Sequence, residues 1–147
     1  MTTLDTFAEL TGRDSLCVVT STRPDGTAQA SVVNAGVLSH PIDRTEVVAY
    51  VVRGDALKLR NVRSRPSTTV VARDGFEWVT VEGRAEVIGP DDPNPAIDPE
   101  GLRLLLREVF RAAGGTHDDW DAFDRAMADE RRAVVLVTPH RIYGVTR

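Results

Sequence analysis

The sequence is almost without lysine: 17 of its 18 basic residues are arginines, and only Lys58 is a lysine. Asparagine is also scarce and occurs only at positions 34, 61 and 94, a usage typical of a high-GC genome. Acidic residues outnumber basic ones, and the formal net charge is −4. Broad nucleic-acid binding needs a basic face that neutralises phosphates, so this charge balance argues against it.

Cysteine occurs once, and long apolar runs are absent. Cys17 cannot form an internal disulfide, and its apolar neighbours predict a buried thiol that packs as a small hydrophobe; a catalytic thiol is the alternative. The apolar run 47–52 is too short to span a membrane. The first 12 residues include Asp5 and Glu9 and show no basic stretch followed by an apolar one, so we expect no secretory signal and a cytoplasmic protein.

Several enzyme motifs are missing, among them the G-x-S-x-G elbow, the H-E-x-x-H helix, the Walker loop and the G-x-G-x-x-G turn. The three histidines, at positions 40, 117 and 140, are far apart and unpaired with cysteine, so no metal site is predicted. Redox chemistry needs fewer dedicated side chains, because a cofactor carries the hydride while the protein supplies position and electrostatics. The sequence is therefore compatible with an oxidoreductase whose catalytic residues it does not reveal.

The first half of the chain alternates a short helix with extended segments. Apolar spacing over residues 4–10 predicts a leading helix that ends near Gly12. Extended stretches at 16–21 and 28–38 flank the turn residues 23–26 and predict a β-hairpin. A third strand is predicted at 46–53, and its continuous apolar centre indicates that both of its faces are covered.

A short helix should follow this third strand. Asp55 is the expected N-cap, and Pro66 is expected to end the helix, because the residue before a proline is disfavoured in α geometry. Lys58 then lies in the first turn. Two more strands, at 68–72 and 78–88, form a hairpin around Asp74-Gly75, and alternation along 78–88 predicts one wet face.

Two helices are predicted before the last strand. The first is opened by Asp98-Pro99 and closed by Gly114-Gly115, and it carries apolar residues at helical spacing. The second is expected to begin with a capping box of Thr116 and Asp119. Its apolar face consists of Trp120, Phe123 and Met127. A strand at 133–138 and a short extended tail through Tyr143 complete the chain.

Strands and helices in this order do not alternate as β-α-β units would. We therefore predict a mainly β protein with α insertions (α+β), in which six or seven strands form an antiparallel barrel. The length of 147 residues favours one domain.

Lys58 is the first candidate for ligand binding. In a chain that otherwise uses arginine for every positive charge, the one lysine indicates a position that needs a lysine in particular. A compact ammonium suits a phosphate in a tight pocket, and the start of a helix adds positive potential there. The alternatives are chance placement and a solvated basic helix on which Arg60, Arg63 and Arg65 face water. Asn34 lies in an apolar strand, where a buried amide needs partners. The edge of a heteroaromatic ring would supply these hydrogen-bond partners. Polar groups of the protein itself, in the core or at a strand edge, would supply them equally well.

Four segments resemble the pyridoxamine 5′-phosphate oxidase-like split-barrel proteins, and within them the deazaflavin- and flavin-dependent reductases of actinobacteria. The similarity spans nearly the whole chain. It rests on residues 23–26, on residues 58–63 with Pro66, on residues 78–85 and on residues 137–144.

The resemblance implies a homodimeric split barrel. It also implies that Lys58 and Asn61, with Arg60, hold the cofactor phosphate. The strand formed by Ser31, Val32, Val33 and Asn34 would lie along the ring system, although Val32-Val33-Asn34-Ala35 replaces the proline and aromatic residue frequent in the family. Trp78 would approach the site from the dimer interface.

The implied reaction is hydride transfer from reduced coenzyme F420 to a small conjugated or unsaturated acceptor, and FMN is the rival cofactor. The alternatives are an FMN-dependent oxidase or reductase of the pyridoxamine-phosphate oxidase type and a non-catalytic cofactor- or tetrapyrrole-binding protein. The loops at His40-Pro41 and 89–97 are expected to contact the small-molecule substrate. Neither nucleic acid nor a membrane is expected as a partner.

Overall fold

The computed structural model of the protein describes residues 2–147. Within these residues the chain forms four helices and six strands. In chain order they are α1 (Leu4–Arg13), β1 (Leu16–Thr22), β2 (Ala28–Ser39), β3 (Glu46–Val52), α2 (Leu57–Ser64), β4 (Ser67–Asp74), β5 (Glu77–Ile88), α3 (Pro99–Ala112), α4 (Trp120–Asp129) and β6 (Ala133–Val145).

Antiparallel pairing joins the strands into a closed barrel in the order β1-β2-β3-β6-β5-β4. The two predicted hairpins are present, and Gly26 and Gly75 supply the positive φ of +87° and +63° that their turns need. The predicted mainly β fold with α insertions is confirmed, and the architecture is that of a split barrel.

The barrel wall separates two apolar cores, and β3 faces both of them. Its residues Val48, Tyr50 and Val52 point into the barrel, whereas Val47 and Ala49 pack beneath α3 and α4 on the outside. Burial on both faces explains why the strand lacks the usual alternation. The prediction that both faces of this strand are covered is therefore confirmed.

The C-terminal end of α3 lies directly on β2. A Cβ atom at Gly36 would fall 2.2 Å from the carbonyl oxygen of Ala112, so only glycine permits this approach. The contact fixes the helical layer beside the outward-facing residues of β2. That placement creates one wall of the cavity described below.

Cys17 is buried, with 1% of its surface exposed, as the sequence predicts. Burial raises the pKa of its thiol to about 12, because an apolar environment disfavours the thiolate. No helix within residues 2–147 combines the length and apolar character that a membrane crossing requires.

Three local predictions are wrong. Ala56, not Asp55, is the N-cap of α2, and no side chain caps that helix; the Asp55 carboxylate lies 3.4 Å from Nε of Arg53 instead. Asp119 alone caps α4, by accepting from the Ala122 N–H at 3.1 Å, while Thr116 remains outside the helix. Residues 133–145 form one continuous strand rather than a strand with a tail, because β6 pairs with β5 beyond its pairing with β3.

Candidate functional site

A cavity of about 430 Å³ opens between the outer side of β2, the segment joining β3 to α2, and the layer formed by α3 and α4. This volume is within the range of small-molecule sites in proteins. Its lining residues are Val32, Val33, Asn34, Val51, Val52, Arg53, Ala56, Lys58, Val109, Phe110, Ala113, Phe123, Met127 and Arg132. The sequence candidates Lys58, Val32, Val33 and Asn34 therefore meet in one place.

The start of α2 gives the cavity hydrogen-bond donors. The backbone N–H groups of Leu57 and Lys58 have no acceptor among the described residues, since the helix lacks a side-chain cap. The Lys58 side chain is half-buried, and unlike Arg53 and Arg63 it forms no ion pair within residues 2–147. An ammonium beside two free N–H groups is an arrangement that attracts anions.

Two arginines extend the positive character of the wall. Arg53 lies just beyond the end of β3, and Arg132 lies just before β6. Both approach Glu130, at 3.5 Å from Nη1 of Arg53 and 2.9 Å from Nε of Arg132. Lys58, Arg53 and Arg132 line the cavity, whereas none of its lining residues is acidic, so the cavity favours a negatively charged ligand.

The opposite wall is apolar and aromatic. Phe110 from α3 and Phe123 from α4 lie with their ring centroids 4.9 Å apart, and Met127 lies one turn further along α4. Trp120 packs edge-on behind both rings and carries the guanidinium of Arg111 at 4.4 Å from its centroid. This wall offers flat apolar surface to a ligand.

Strand β2 forms a third wall, which differs from the prediction at Asn34. The Asn34 side chain is exposed rather than buried, and its Oδ1 accepts a hydrogen bond of 2.9 Å from the Ser15 hydroxyl. Its Nδ2 has no acceptor among the described residues, so it remains available to a ligand. Ser31, by contrast, does not line the cavity: it alternates with Val32 and Asn34 on β2 and faces the barrel interior, where its Oγ is buried without a hydrogen-bond partner within residues 2–147.

Two predicted phosphate-binding residues do not reach this cavity. Asn61 is only 1% exposed; its Nδ2 donates to Ser21 Oγ at 3.0 Å, and its Oδ1 accepts from Nη2 of Arg65 at 3.3 Å. This amide ties α2 to β1. Arg60 is exposed and does not line the cavity. Of the three candidates on α2, the structure places Lys58 alone at the cavity.

Trp78 also lies away from the cavity, packed edge-on against Tyr143 with centroids 6.1 Å apart. Tyr143 belongs to a row of residues that face each other on five neighbouring strands, on the outside of the barrel. The row begins at Val32, which is 58% exposed and lines the cavity, and it ends at Tyr143. We call it the outer row; its members are Val32, Val18, Val71, Thr80 and Tyr143.

The loops expected to contact substrate do come together, but elsewhere. Pro41 and residues 95–97 line a separate cavity of about 470 Å³ at the N-terminal end of α3, whereas Phe110 lies near the other end of that helix. His40 is buried and lies 2.7 Å from Glu86 through its Nε2. Within one protomer these loops and Lys58 therefore line different cavities, and their contact with substrate stays a prediction.

The aromatic wall was not anticipated as part of a site. Phe110, Phe123 and Met127 each lie at helical spacing within their own helix, which predicts only that they pack against the core. All three residues do pack in the outer apolar core. What turns packing into a cavity wall is the seating of α3 on Gly36. A glycine within a strand marks a close approach, and it was the one sequence signal available.

Comparison with known proteins identifies the family. The model of the pyridoxamine 5′-phosphate oxidase family matches residues 3–146, and the chain belongs to that family. Its closed six-stranded antiparallel barrel with α insertions is the corresponding split-barrel fold.

Three solved structures show the same fold at low identity. A pyridoxamine 5′-phosphate oxidase-related, FMN-binding protein from Nostoc punctiforme is 11% identical, with a TM-score of 0.66 over 95% of this chain and 82% of that one. A protein described as an F420 reductase is 17% identical, with a TM-score of 0.62 over 92% and 94% of the two chains. HutZ, a heme storage protein of Vibrio cholerae, is 11% identical, with a TM-score of 0.59 over 97% and 94%.

Proposed function

We propose that the protein is a flavin-type oxidoreductase in which reduced coenzyme F420 gives a hydride to a small conjugated or unsaturated acceptor, with FMN as the rival cofactor. The observation that carries this proposal is the meeting of an unpaired lysine, free helix N–H groups and the free Nδ2 of Asn34 in one cavity. Similar structures described as FMN-binding and as an F420 reductase support it.

The residues present fit such a cofactor. Lys58 and the N–H groups at the start of α2 suit its phosphate, since charge-assisted hydrogen bonds to phosphate are strong and directional. Asn34 Nδ2 offers a free donor to the edge of a heteroaromatic ring. When bound, the cofactor supplies the hydride chemistry.

The protein's part in the reaction is to bind and orient. The ionisable side chains that line the cavity are Arg53, Lys58 and Arg132, all of them cationic. These groups would hold an anionic cofactor, and the apolar lining residues, among them Val33, Val52 and Val109, would exclude water from the cavity. A conjugated acceptor would take up the hydride at carbon and a proton from solvent, which together complete its two-electron reduction.

A homodimer completes this proposal. Three members of the outer row expose large apolar side chains, Val32 at 58%, Val18 at 44% and Tyr143 at 39%, and exposed apolar surface is typical of interfaces. Because Val32 also lines the cavity, a partner seated on the outer row would close one side of it. Trp78 and Tyr143, at the other end of the row, are the residues that a partner would bring.

Titration identifies which of the two cofactors the protein binds. Purified protein is titrated separately with F420 and with FMN at fixed salt, and cofactor fluorescence reports binding. We expect saturable binding of one of them with a dissociation constant in the micromolar range or tighter, followed by turnover of an enone acceptor. Absence of binding by both cofactors would remove the proposal.

A second candidate is a non-catalytic tetrapyrrole carrier, which the likeness to a heme storage protein favours. Adding hemin to the same protein tests it by the appearance of a haem absorption band shifted from that of free hemin. Binding of hemin together with failure to bind either flavin-type cofactor would favour the carrier. We also propose a cytoplasmic location, where a single thiol such as Cys17 stays reduced.

A further inference from the structure

We propose that Phe110 determines the specificity of the cavity by forming the wall on which a planar apolar acceptor lies, and that Gly115 positions its ring. The inference rests on the proposed function, because it assigns the acceptor side of the same cavity. Phe110 belongs to the helical layer, whereas Lys58 and the free N–H groups belong to the barrel side. The aromatic wall is therefore separate from the group that holds the phosphate.

The Phe110 ring lies directly on the backbone of Gly115. A Cβ atom at position 115 would fall 2.5 Å from Cζ of Phe110, and the two next-nearest atoms, at 2.6 and 2.7 Å, belong to the same ring. The Gly115 N–H also donates to the Phe110 carbonyl at 2.9 Å. Any side chain at position 115 must displace this ring.

Backbone conformation does not explain the glycine. Gly114 has a φ of +85°, which favours glycine, but the φ of Gly115 lies outside the left-handed region. Alanine is thus conformationally acceptable at position 115. The requirement for glycine comes from the ring of Phe110.

Three other rings pack around Phe110, which remains half-buried and lines the cavity. Phe123 lies 4.9 Å away, Trp120 lies 6.1 Å away and His117 lies 6.4 Å away, measured between ring centroids. Such packing restricts the ring, so we expect a rigid wall rather than an adaptable one. A rigid aromatic wall discriminates by shape, favouring a planar ligand that stacks on it over a puckered one of similar size.

Two probes with one carbon skeleton test this discrimination. We measure binding of planar 2-naphthol and of saturated, puckered decahydro-2-naphthol by calorimetry, first to the protein alone and then to protein saturated with its flavin-type cofactor. The variants are Gly115→Ala and Phe110→Leu. Gly12→Ala is the control, because a Cβ there meets nothing within 4 Å and its φ is not positive.

The wild-type protein and Gly12→Ala should bind 2-naphthol more tightly than its saturated analogue. Gly115→Ala and Phe110→Leu should each weaken 2-naphthol binding by about threefold to tenfold, the range expected for one aromatic contact. They should leave cofactor affinity within about twofold. Phe110→Leu keeps an apolar side chain of similar size, so it serves if the glycine variant folds poorly.

Three results would overturn the inference: no preference of the wild type for the planar probe, unchanged 2-naphthol affinity in both variants, or loss of 2-naphthol binding on saturation with the cofactor. The last would assign the wall to the cofactor ring. Failure of the proposed function is seen separately, since it appears in the cofactor titration of the wild type and not in the comparison of the two probes.

Discussion

Replacing Lys58 should weaken cofactor binding more than any other single substitution on α2. The ammonium is half-buried, lines the cavity and has no carboxylate partner within the described residues, so nothing competes with a bound phosphate for it. Loss of one charge-assisted hydrogen bond in a partly desolvated site costs roughly 2 kcal/mol, which is about thirtyfold in dissociation constant. The N–H groups of Leu57 and Lys58 remain in Lys58→Ala, so residual binding is expected.

Arg63→Ala is the matched control on the same helix. Arg63 is already engaged by Asp92, at 2.9 Å from Nε and 2.6 Å from Nη2, and it does not line the cavity. Its removal should change cofactor affinity by less than about twofold, although it gives up a partly exposed ion pair worth up to about 1 kcal/mol of stability.

Lys58→Arg separates charge from shape. If the site needs a compact donor, arginine should recover little of the lost affinity; if only charge matters, it should recover most of it. The assay is fluorescence titration of the four proteins with F420 and with FMN at one fixed salt concentration, because screening alters such contacts. Equal affinities for the wild type and Lys58→Ala would refute the reasoning and remove the phosphate site from the start of α2.

Three further outcomes follow from other parts of the structure. Val18→Glu places a charge between Val32 and Val71 in the outer row, so sedimentation should show a monomer with unchanged circular dichroism; a dimer that persists would contradict the proposed interface. Gly36→Ala should lower the thermal midpoint strongly, because its Cβ would meet the Ala112 carbonyl at 2.2 Å, and an unchanged midpoint would mean that α3 is not seated there. For Cys17 the folded pKa of about 12 exceeds the ordinary 9.0, so the thiol favours unfolding once the unfolded chain ionises. The free energy of unfolding of the wild type, compared with that of Cys17→Ala, should fall by about 1.4 kcal/mol per pH unit from pH 9 towards 12. The same pH dependence in both proteins would contradict this prediction.

The barrel was predictable because its strands carry strong local patterns. The alternation along 78–88 and the glycines at the two hairpin turns specify pairing between neighbours in sequence. Closure by β3 and β6 joins distant segments, and only the general antiparallel character could be inferred for it. The N-cap of α2 was mispredicted since a capping residue depends on φ and ψ at one position, which composition does not determine.

The candidate site was predictable only in part. Lys58 could be identified by its rarity and Val32 by its strand, but Asn61 has a spacing on α2 that suits either a ligand or a core. Its burial against Ser21 depends on how α2 packs on β1, a contact between segments 40 residues apart. The aromatic wall around Phe110 likewise depends on where α3 settles, which no local pattern encodes.

The late position of β6 in the chain has a consequence for synthesis. This strand fills the gap between β3 and β5, and its partner residues on β3 were made about 80 residues earlier. Until β6 emerges, β3 keeps one edge unpaired and apolar on both faces, the kind of edge that recruits strands from other chains. Long-range pairing of this sort also slows folding. Nascent chains stalled before residue 133 should therefore depend on chaperones, whereas chains in which an added C-terminal linker carries all of β6 out of the ribosome should fold while still attached to it.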